Sequence, residues 1–237
     1  MPLPFFYTDP ISPSDNIVIL NDDNSKHIVQ VLRMQVGKQI KLTDGFGNIY
    51  LAEITEAHKK NCTIKVLEKT FVEKSSHKVC IAISLVKNNS RLEWFLEKAT
   101  EMGVSEIVLL KCDRTEKQHI KIDRLKGILI SAMLQSQQAW LPILEEPKRY
   151  ANFIKEVNTK NKFIAHCEEQ NKQSFKVALS TLQPLNSSTI LIGPEGDFTL
   201  PEIELALQQN YVAVSLGHTR LRTETAALVA ATLLCLE

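Results

Sequence analysis

The 237-residue sequence lacks a surplus of charge of either sign, because 28 Lys and Arg residues stand against 27 Asp and Glu residues, for a net charge of +1. A strongly basic balance would indicate a chain-wide nucleic-acid-binding surface, and this composition excludes one. Any such contact must come from a local patch. One candidate patch, Lys111–Lys126, holds six basic and three acidic residues. A solvated surface is the plainer interpretation of this run.

Clustered cysteines and long apolar runs are also missing. The five cysteines form no CxxC pair and no Cys/His group with zinc spacing, which predicts no metal site and a reducing compartment, the cytoplasm. No apolar run is long enough to span a membrane. The start, MPLPFFYTDP, lacks a basic segment followed by an apolar one, so no signal peptide is predicted.

Three common ligand and catalytic motifs are absent as well. The sequence contains no GxGxxG after a strand, no GxxxxGK[ST] and no GxSxG. These absences argue against a standard dinucleotide fold, a P-loop and a nucleophile elbow.

The sequence present divides into two regions with different periodicity. Residues 1–72 show short strand-like runs, with the turn Asp44–Asn48 between two of them and one possible helix at Lys26–Leu32, which predicts a small β-barrel. A short polar segment, Glu73–His77, is the candidate linker. Residues 73–237 then alternate strands and helices, which is typical of an α/β domain with a mostly parallel sheet.

The second region begins with an apolar strand, Val79–Val86, and a helix with a possible capping box of Ser90 and Glu93 that ends at Gly103. Thr199 and Glu202 form a second capping box. The remaining predicted elements are the strands Glu106–Leu110, Lys162–His166, Thr189–Ile192 and Val212–Leu216, and the helices Asp123–Gln138, Ala151–Val157, Phe175–Leu179 and Thr223–Cys235.

Three of these strands end in unusual sequence. His166 and Cys167 follow one, Gly193-Pro194-Glu195-Gly196 follows the second, and a polar cluster around Arg220–Thr225 follows the third. Ligands of open α/β sheets bind beyond the carboxyl ends of the strands. Glycines there allow close backbone approach to a ligand, although an ordinary tight turn explains Gly193 and Gly196 equally well. Helix capping likewise explains Thr223 and Thr225, and it is compatible with a ligand role.

IGPEGDFTLPEIELA and VSLGHTRLRTETAAL resemble the last two signature loops of the SPOUT methyltransferases, and within them most closely those of the RsmE family. HIVQVLRMQVGKQIKLTDGFG, LVKNNSRLEWFLEKATEMGVSEIVLL and AMLQSQQAWLP resemble further segments of that family, so the resemblance covers nearly the whole chain. It implies a PUA-like β-barrel RNA-binding domain at 1–72 and a knotted (trefoil) SPOUT α/β domain with a parallel sheet at 73–237.

The resemblance also implies a function. It is methylation of N3 of a uridine in small-subunit (16S) ribosomal RNA, with S-adenosylmethionine as cofactor, the ribosomal RNA or the 30S subunit as partner, and a homodimer. The alternatives are a SPOUT methyltransferase of another RNA, such as tRNA, and an inactive ribosome-assembly factor. The last helix is apolar nearly all round, which fits either a dimer interface or a buried core helix.

The same resemblance assigns roles to residues. The candidates to organise the target base are Arg222 and Glu224, and an ion pair of Arg222 with Glu195 or Glu224 is the alternative for the former. The expected RNA contacts are Arg33, Lys87, Arg91 and Arg114. The expected cofactor-binding residues lie in the loops 165–168, 192–196 and 215–221 and at the start of the last helix: His166, Ile192, Gly193, Glu195, Gly196, Leu216, Gly217, Leu221 and Thr225.

This chain departs from the family pattern at a few positions. The family often has Gly where Asp197 stands, Gly-Arg where Gln137 and Gln138 stand, and an aliphatic residue where Arg220 stands. The absence of Arg at 138 removes one candidate phosphate contact. The cofactor loops are otherwise intact.

Overall fold

The computed structural model describes residues 3–116, 119–168, 172–181 and 187–236. The chain divides into two compact units. The first is Met1–Lys74 together with Met133–Leu141, and the second is Ser75–Ala132 together with Pro142–Glu237. The division after residue 74 lies inside the predicted linker. Within the candidate basic patch, Lys117 and Gln118 lie outside the described residues.

The first unit contains a five-stranded sheet in the described residues, in the order β1-β3-β4-β5-β2. Its pairs are antiparallel except for β1 with β3. The elements are β1 (Phe5–Tyr7), β2 (Ile17–Ile19), α1 (Asp22–Lys26), β3 (Gln39–Thr43), β4 (Asn48–Glu56) and β5 (Thr63–Phe71). The alternation of buried and exposed residues along β3 and β4 turns one face inward, where Ile40, Leu42, Ala52 and Ile54 are buried.

The second unit carries a sheet whose described strand pairs are all parallel, in the order β11-β13-β10-β12-β6-β7-β8, with β9 also on β7. Its elements are β6 (Lys78–Ser84), α2 (Asn89–Glu101), β7 (Glu106–Lys111), α3 (Ile122–Gln135), β8 (Ile143–Leu144), β9 (Lys148–Arg149), α4 (Tyr150–Glu156), β10 (Asn161–Ala165), β11 (Gln173–Ser174), α5 (Phe175–Thr181), β12 (Ser187–Ile192), α6 (Leu200–Gln208), β13 (Val212–Ser215) and α7 (Thr223–Cys235). The prediction of a β-rich region followed by an α/β region with a parallel sheet is confirmed.

Helices cover both faces of this sheet, which explains why its strands are apolar throughout. Along β6, Cys80 and Ala82 belong to the buried cluster that includes residues of α4 and α6. Successive side chains of a strand point to opposite faces, so Ile81 and Ile83 face the other way, toward the side where α7 packs on β6 and α2. In α7, the buried apolar residues are Ala227, Ala230, Ala231 and Leu234.

Several local predictions were wrong or incomplete. Ser90 and Glu93 do not form a capping box, because α2 begins two residues earlier than a Ser90 N-cap would require. Asn88 is the N-cap, and its side chain accepts a hydrogen bond from the Ser90 amide at 2.9 Å. The helix predicted at Lys26–Leu32 is instead α1 followed by a π-helical turn at His27–Val31. The helix predicted to reach Gln138 ends at Gln135, two residues before the left-handed Gln137 (φ 58°). The strands β1, β8, β9 and β11 are too short to show a periodicity.

Candidate functional site

The three predicted loops lie side by side. β10 pairs with β12 on one side and β13 on the other, and Ala165 is in register with Ile192 and Val214. Because the three strands are parallel, their carboxyl ends meet at one edge of the sheet. The loops that leave this edge therefore form one wall.

Two adjoining cavities open between these loops. The first has a volume of about 270 Å³ and the second about 430 Å³. Both are lined by Ala165, Cys167, Arg220, Leu221 and Ala226. Of the predicted site residues, the first cavity brings together Ile192, Gly193, Glu195, Leu221 and Arg222. The second brings together His166, Leu216, Gly217 and Leu221.

A third cavity lies at the start of α7 and is lined by Ser90, Arg91, Trp94, Arg222, Glu224 and Thr225. It shares Arg222 with the first cavity. Trp94 is 43% exposed, which is unusual for so large an aromatic side chain. Thr225, predicted to bind the cofactor, lines this third cavity and is absent from the walls of the other two.

Gly193 lies where the backbone leaves β12, directly over a buried ring. A Cβ atom at this position would lie 3.1 Å from Cδ2 of Phe198 and 3.2 Å from its backbone nitrogen. Phe198 is fully buried and packs against Tyr150, with ring centroids 5.2 Å apart. The ring cannot move away easily, so the close approach requires glycine.

Gly196 is covered by Arg114, which follows β7. Nη1 of Arg114 donates to the Gly196 carbonyl at 2.6 Å and to the Phe198 carbonyl at 3.4 Å. A Cβ atom on Gly196 would lie 3.3 Å from Cδ of Arg114. Arg114, predicted to contact RNA, is exposed, and part of its guanidinium is already engaged in holding this loop.

The start of α6 is fixed by a buried carboxylate. Oε1 of Glu202 accepts the Asp113 amide at 2.9 Å, and Oε2 accepts the Thr199 amide at 2.8 Å. The predicted capping box of Thr199 with Glu202 is confirmed. Tyr150 donates its hydroxyl to the Glu202 carbonyl at 2.7 Å. The loop after β12 therefore joins a helix whose first turn is anchored to the chain after β7.

Asp197 has φ 63°, in the left-handed region where residues other than glycine are uncommon. Its Oδ2 accepts the Cys167 amide at 2.7 Å, and its Oδ1 accepts the Phe198 amide at 2.9 Å. Its own amide donates to the Pro194 carbonyl at 2.9 Å. The side chain therefore connects the loop after β12 to the loop after β10.

His166 is 6% exposed, and within the described part of the chain neither of its ring nitrogens has a hydrogen-bond partner. Burial, with the nearby charge of Lys172, lowers the pKa of the imidazole below its usual 6.5, against the opposing influence of Asp197 and Glu168. The ring is therefore neutral at pH 7. Two unpaired buried nitrogens at a cavity wall are costly unless a ligand or water meets them.

The alternative for Arg222, an ion pair with Glu195 or Glu224, is absent among the described residues. Glu224, 6% exposed, pairs instead with Arg91, with 3.5 Å between Oε1 and Nε. Glu195 accepts the Lys87 amide at 3.1 Å. The exposed Arg222 is therefore free of both carboxylates that were its expected partners, and Arg91 and Lys87 are positioned by them.

The predicted RNA contacts are divided between the two units. Lys87, Arg91 and Arg114 follow strand ends of the second unit, and Lys87 Nζ pairs with Glu116 at 2.8 Å. Arg33 lies in the first unit, exposed, with φ 52°.

No group of three or more His, Cys, Asp or Glu residues in the described ranges is arranged to hold a metal ion. The helices in these ranges are all too short or too polar to cross a bilayer.

The sequence did not predict that Trp94 lines a cavity or that Asp197 contacts Cys167. For Asp197 there was one indication in the sequence, because this residue departs from the family pattern. Trp94 had none, because its helical spacing says nothing about whether a neighbouring helix covers it.

The α/β unit with cavities at its strand ends and the separate β-rich unit each correspond to a known domain. A family model described as an RNA methyltransferase domain matches residues 73–235, and one described as an RNA methyltransferase PUA domain matches residues 20–67. The chain belongs to the RsmE family, the ribosomal RNA small subunit methyltransferases E.

Three relatives illustrate the similarity. The methyltransferase E of Bacillus subtilis is 31% identical over 86% of this chain and 84% of its own length. A solved structure of a probable rRNA methyltransferase from Porphyromonas gingivalis has 38% identity and a TM-score of 0.89, covering 97% of this chain and 96% of that one. The methyltransferase E of Neisseria gonorrhoeae, bound to S-adenosyl methionine, has 27% identity and a TM-score of 0.84, covering 97% and 95%.

Proposed function

We propose that this protein transfers a methyl group from S-adenosylmethionine to N3 of a uridine in small-subunit ribosomal RNA, in the cytoplasm. The observation that carries the proposal is the pair of adjoining cavities between the loops after β10, β12 and β13, the first of which shares Arg222 with a third cavity. A site with two neighbouring compartments suits a reaction that needs a donor and an acceptor. The relatives named ribosomal RNA small subunit methyltransferase E, one of them bound to S-adenosyl methionine, support methyl transfer to small-subunit ribosomal RNA.

The residues around the first two cavities fit the cofactor. The second cavity, of about 430 Å³, lies within the usual range of small-molecule sites, roughly 300–1,000 Å³, and the adjoining first cavity, of about 270 Å³, lies just below it. The walls combine apolar side chains with backbone groups at strand ends, and the two unpaired nitrogens of His166 offer polar contacts. Of the residues named from the resemblance, His166, Ile192, Gly193, Glu195, Leu216, Gly217 and Leu221 line these two cavities and would hold the cofactor. Gly196 lines neither cavity, and Thr225 lines the third one. When bound, the cofactor supplies an electrophilic methyl group on a sulfonium.

The third cavity is the site of the target nucleotide. A base can stack on the exposed ring of Trp94, an interaction worth about 1–3 kcal/mol in single-stranded nucleic acid complexes. Arg91 and Arg222 supply positive charge on either side of Glu224. N3 of uracil must lose its proton to become a nucleophile, and a cation beside the base favours the anion. Arg222, free of its expected carboxylate partners, supplies that cation, and Glu224 orients the target.

The remaining RNA contacts are charge contacts to phosphate. Arg33, Lys87, Arg91 and Arg114 serve this role, since Lys and Arg contacts to the backbone provide most of the sequence-independent affinity. We assign RNA binding to residues 1–72 and catalysis to residues 73–237. As in SPOUT enzymes, the second part folds with a trefoil knot and the active form is a homodimer.

The first experiment measures transfer of a labelled methyl group from S-adenosylmethionine to unmodified small subunits and, separately, to bulk tRNA, with mass spectrometry of the nucleosides. The expected product is 3-methyluridine in the small subunit. Label in tRNA alone would show that the substrate is wrong. No label and no cofactor binding would favour the assembly-factor alternative.

A variant pair tests the acceptor side. Loss of one preorganised charge in an active site typically lowers kcat by about 10²–10³-fold. We therefore expect Arg222→Ala to lower kcat by about 100-fold and to leave cofactor affinity within about threefold. The matched control is Lys160→Ala, because Lys160 is exposed just before β10, at the opposite edge of the sheet. Equal activity of the two variants would remove Arg222 from the mechanism.

A further inference from the structure

Two of the four described non-glycine residues with left-handed backbone are Gln137 (φ 58°) and Asp197 (φ 63°). Their side chains behave differently. The amide of Gln137 donates to the Leu134 carbonyl at 3.2 Å, at the end of its own helix. Asp197 bonds across to another loop, which Gln137 does not.

The bond from Asp197 joins two walls of the first cavity. Cys167 and Asp197 both line this cavity, and the Cys167 amide donates to Oδ2 of Asp197 at 2.7 Å. Cys167 is exposed, and the carbonyl of the neighbouring His166 accepts from Nζ of Lys172 at 2.9 Å. On the other side, the Phe198 amide donates to Oδ1 of Asp197 at 2.9 Å, and Phe198 is fully buried. The carboxylate therefore joins the buried Phe198 to the loop after β10.

We propose that Asp197 is a positioning residue, which holds the loop 166–168 against the loop 193–196 so that both are preorganised for S-adenosylmethionine. The inference rests on the proposed function for the identity of the ligand. Glycine at this position would relieve the left-handed backbone but would leave the two loops unconnected. The aspartate accepts backbone strain in exchange for a charge-assisted hydrogen bond, which is shorter and stronger than a neutral one.

The same contact gives the proposal a reporter that does not depend on the cofactor. Burial, and then the charge of Asp197, raises the pKa of the Cys167 thiol. The thiolate is the form that reacts with alkylating agents. A protein without the Asp197 carboxylate should therefore alkylate faster at Cys167, both because the charge is gone and because the loop is released.

The test compares Asp197→Gly, Asp197→Asn and Gln137→Gly. Asparagine tolerates left-handed backbone and its amide oxygen can still accept from Cys167. We expect Asp197→Gly to weaken S-adenosylmethionine binding about tenfold, as loss of a hydrogen bond to a charged group does, and Asp197→Asn to stay within about threefold of the native protein. Gln137→Gly places glycine in a left-handed backbone conformation similar to that of Asp197 and should bind S-adenosylmethionine as the native protein does.

In turnover assays, Asp197→Gly should raise KM for the cofactor while kcat and KM for RNA change little. A general folding defect would instead lower the active fraction and leave KM unchanged. Equal weakening by the Asn and Gly variants, or native affinity in the Gly variant, would overturn the proposal.

Alkylation by iodoacetamide, followed by mass spectrometry of the Cys167 peptide, is measured on each protein without cofactor. We expect at least a severalfold faster reaction in Asp197→Gly and native behaviour in Gln137→Gly. If the native protein binds no S-adenosylmethionine, the proposed function fails, and the alkylation rates still decide whether Asp197 holds the loop. Asp197→Gly should alkylate faster than Asp197→Asn, which also lacks the charge but keeps an oxygen that accepts from the Cys167 amide. Identical alkylation rates in Asp197→Gly and the native protein would overturn the claim that Asp197 holds the loop that contains Cys167.

Discussion

Two loops of this molecule use glycine and aspartate in opposite ways. In the first unit, the turn Asp44–Asn48 joins β3 to β4, and the buried Asp44 accepts hydrogen bonds from its own turn: the Phe46 amide at 2.8 Å and the Asn48 side-chain amide at 2.6 Å. The space that Gly47 leaves is filled by Trp140 and Phe71, whose rings pack edge to face at 5.9 Å. Everything in this turn is satisfied by the protein itself.

In the second unit, the loop Gly193–Asp197 follows β12. Gly193 packs on Phe198 from one side only, and its other side faces the first cavity. Asp197 directs one carboxylate oxygen to the adjacent Phe198 amide and the other to the Cys167 amide of a neighbouring loop. The same residue types therefore make a closed structural turn in one unit and an open cavity wall in the other. The difference lies in what occupies the space beside the glycine.

The largest expected effect is on stability, at the closed turn. A Cβ atom on Gly47 would lie 2.6 Å from Cζ2 of Trp140 and 2.8 Å from Cε2 of Phe71, at φ 90°. Overpacking and left-handed strain together should make Gly47→Ala destabilising by about 3 kcal/mol in urea unfolding. Gly37→Ala is the matched control, since Gly37 has φ 83° and nothing within 4 Å. It should cost about 1 kcal/mol, from strain alone. If the two variants lose equal free energy of unfolding, the rings of Trp140 and Phe71 move aside without cost.

The next effect is on ligand binding, at the open loop. Gly193→Ala would press a methyl group against the Phe198 ring or shift the backbone toward the cavity, so cofactor affinity should fall about tenfold with less than about 1.5 kcal/mol lost in stability. Gly127→Ala in α3 is the control, because Gly127 is helical with nothing within 4 Å. It should leave cofactor affinity unchanged and stabilise the protein by up to about 1 kcal/mol. Calorimetric titration and urea unfolding measure the two quantities. Native affinity in Gly193→Ala would contradict the proposal that the cofactor binds against the loop after β12.

The smallest effect is the dependence of stability on pH. The pKa of His166 is lowered from 6.5 by burial, so the unfolded chain takes up a proton before the folded one does as the pH falls. This difference leaves the free energy of unfolding unchanged well above pH 6.5. It lowers the free energy of unfolding as the pH falls from 6.5 through the pKa of His166 in the folded protein. Replacement by a neutral side chain, His166→Gln, should flatten this part of the profile, whereas the exposed His58→Gln should not. An unchanged slope in His166→Gln would show that other groups cause any acid destabilisation.

Local patterns identified most of the second unit. The predicted range Thr223–Cys235 is the observed α7, and the other long helices and strands were placed within a few residues. Ser90 was predicted to cap α2, whereas Asn88 is the N-cap. Both residue types can cap a helix, and only the extended backbone of Asn88 decides between them. Residues 133–141 pack with the first unit, which no periodicity could indicate, because it depends on partners such as Gly47 and Val72, far away in the chain.

The sequence by itself determined which segments form parallel strands, where each strand ends, and that glycines and a polar cluster follow three of those ends, because periodicity and backbone tolerance are local properties. Only the tertiary structure decided that β10, β12 and β13 are neighbours, so that the loops form one wall. It also decided that Glu224 pairs with Arg91 rather than Arg222, and that Asp197 connects to Cys167. Hydrogen bonds and ion pairs act over a few ångströms in space, and the order in which strands assemble sets which residues come that close.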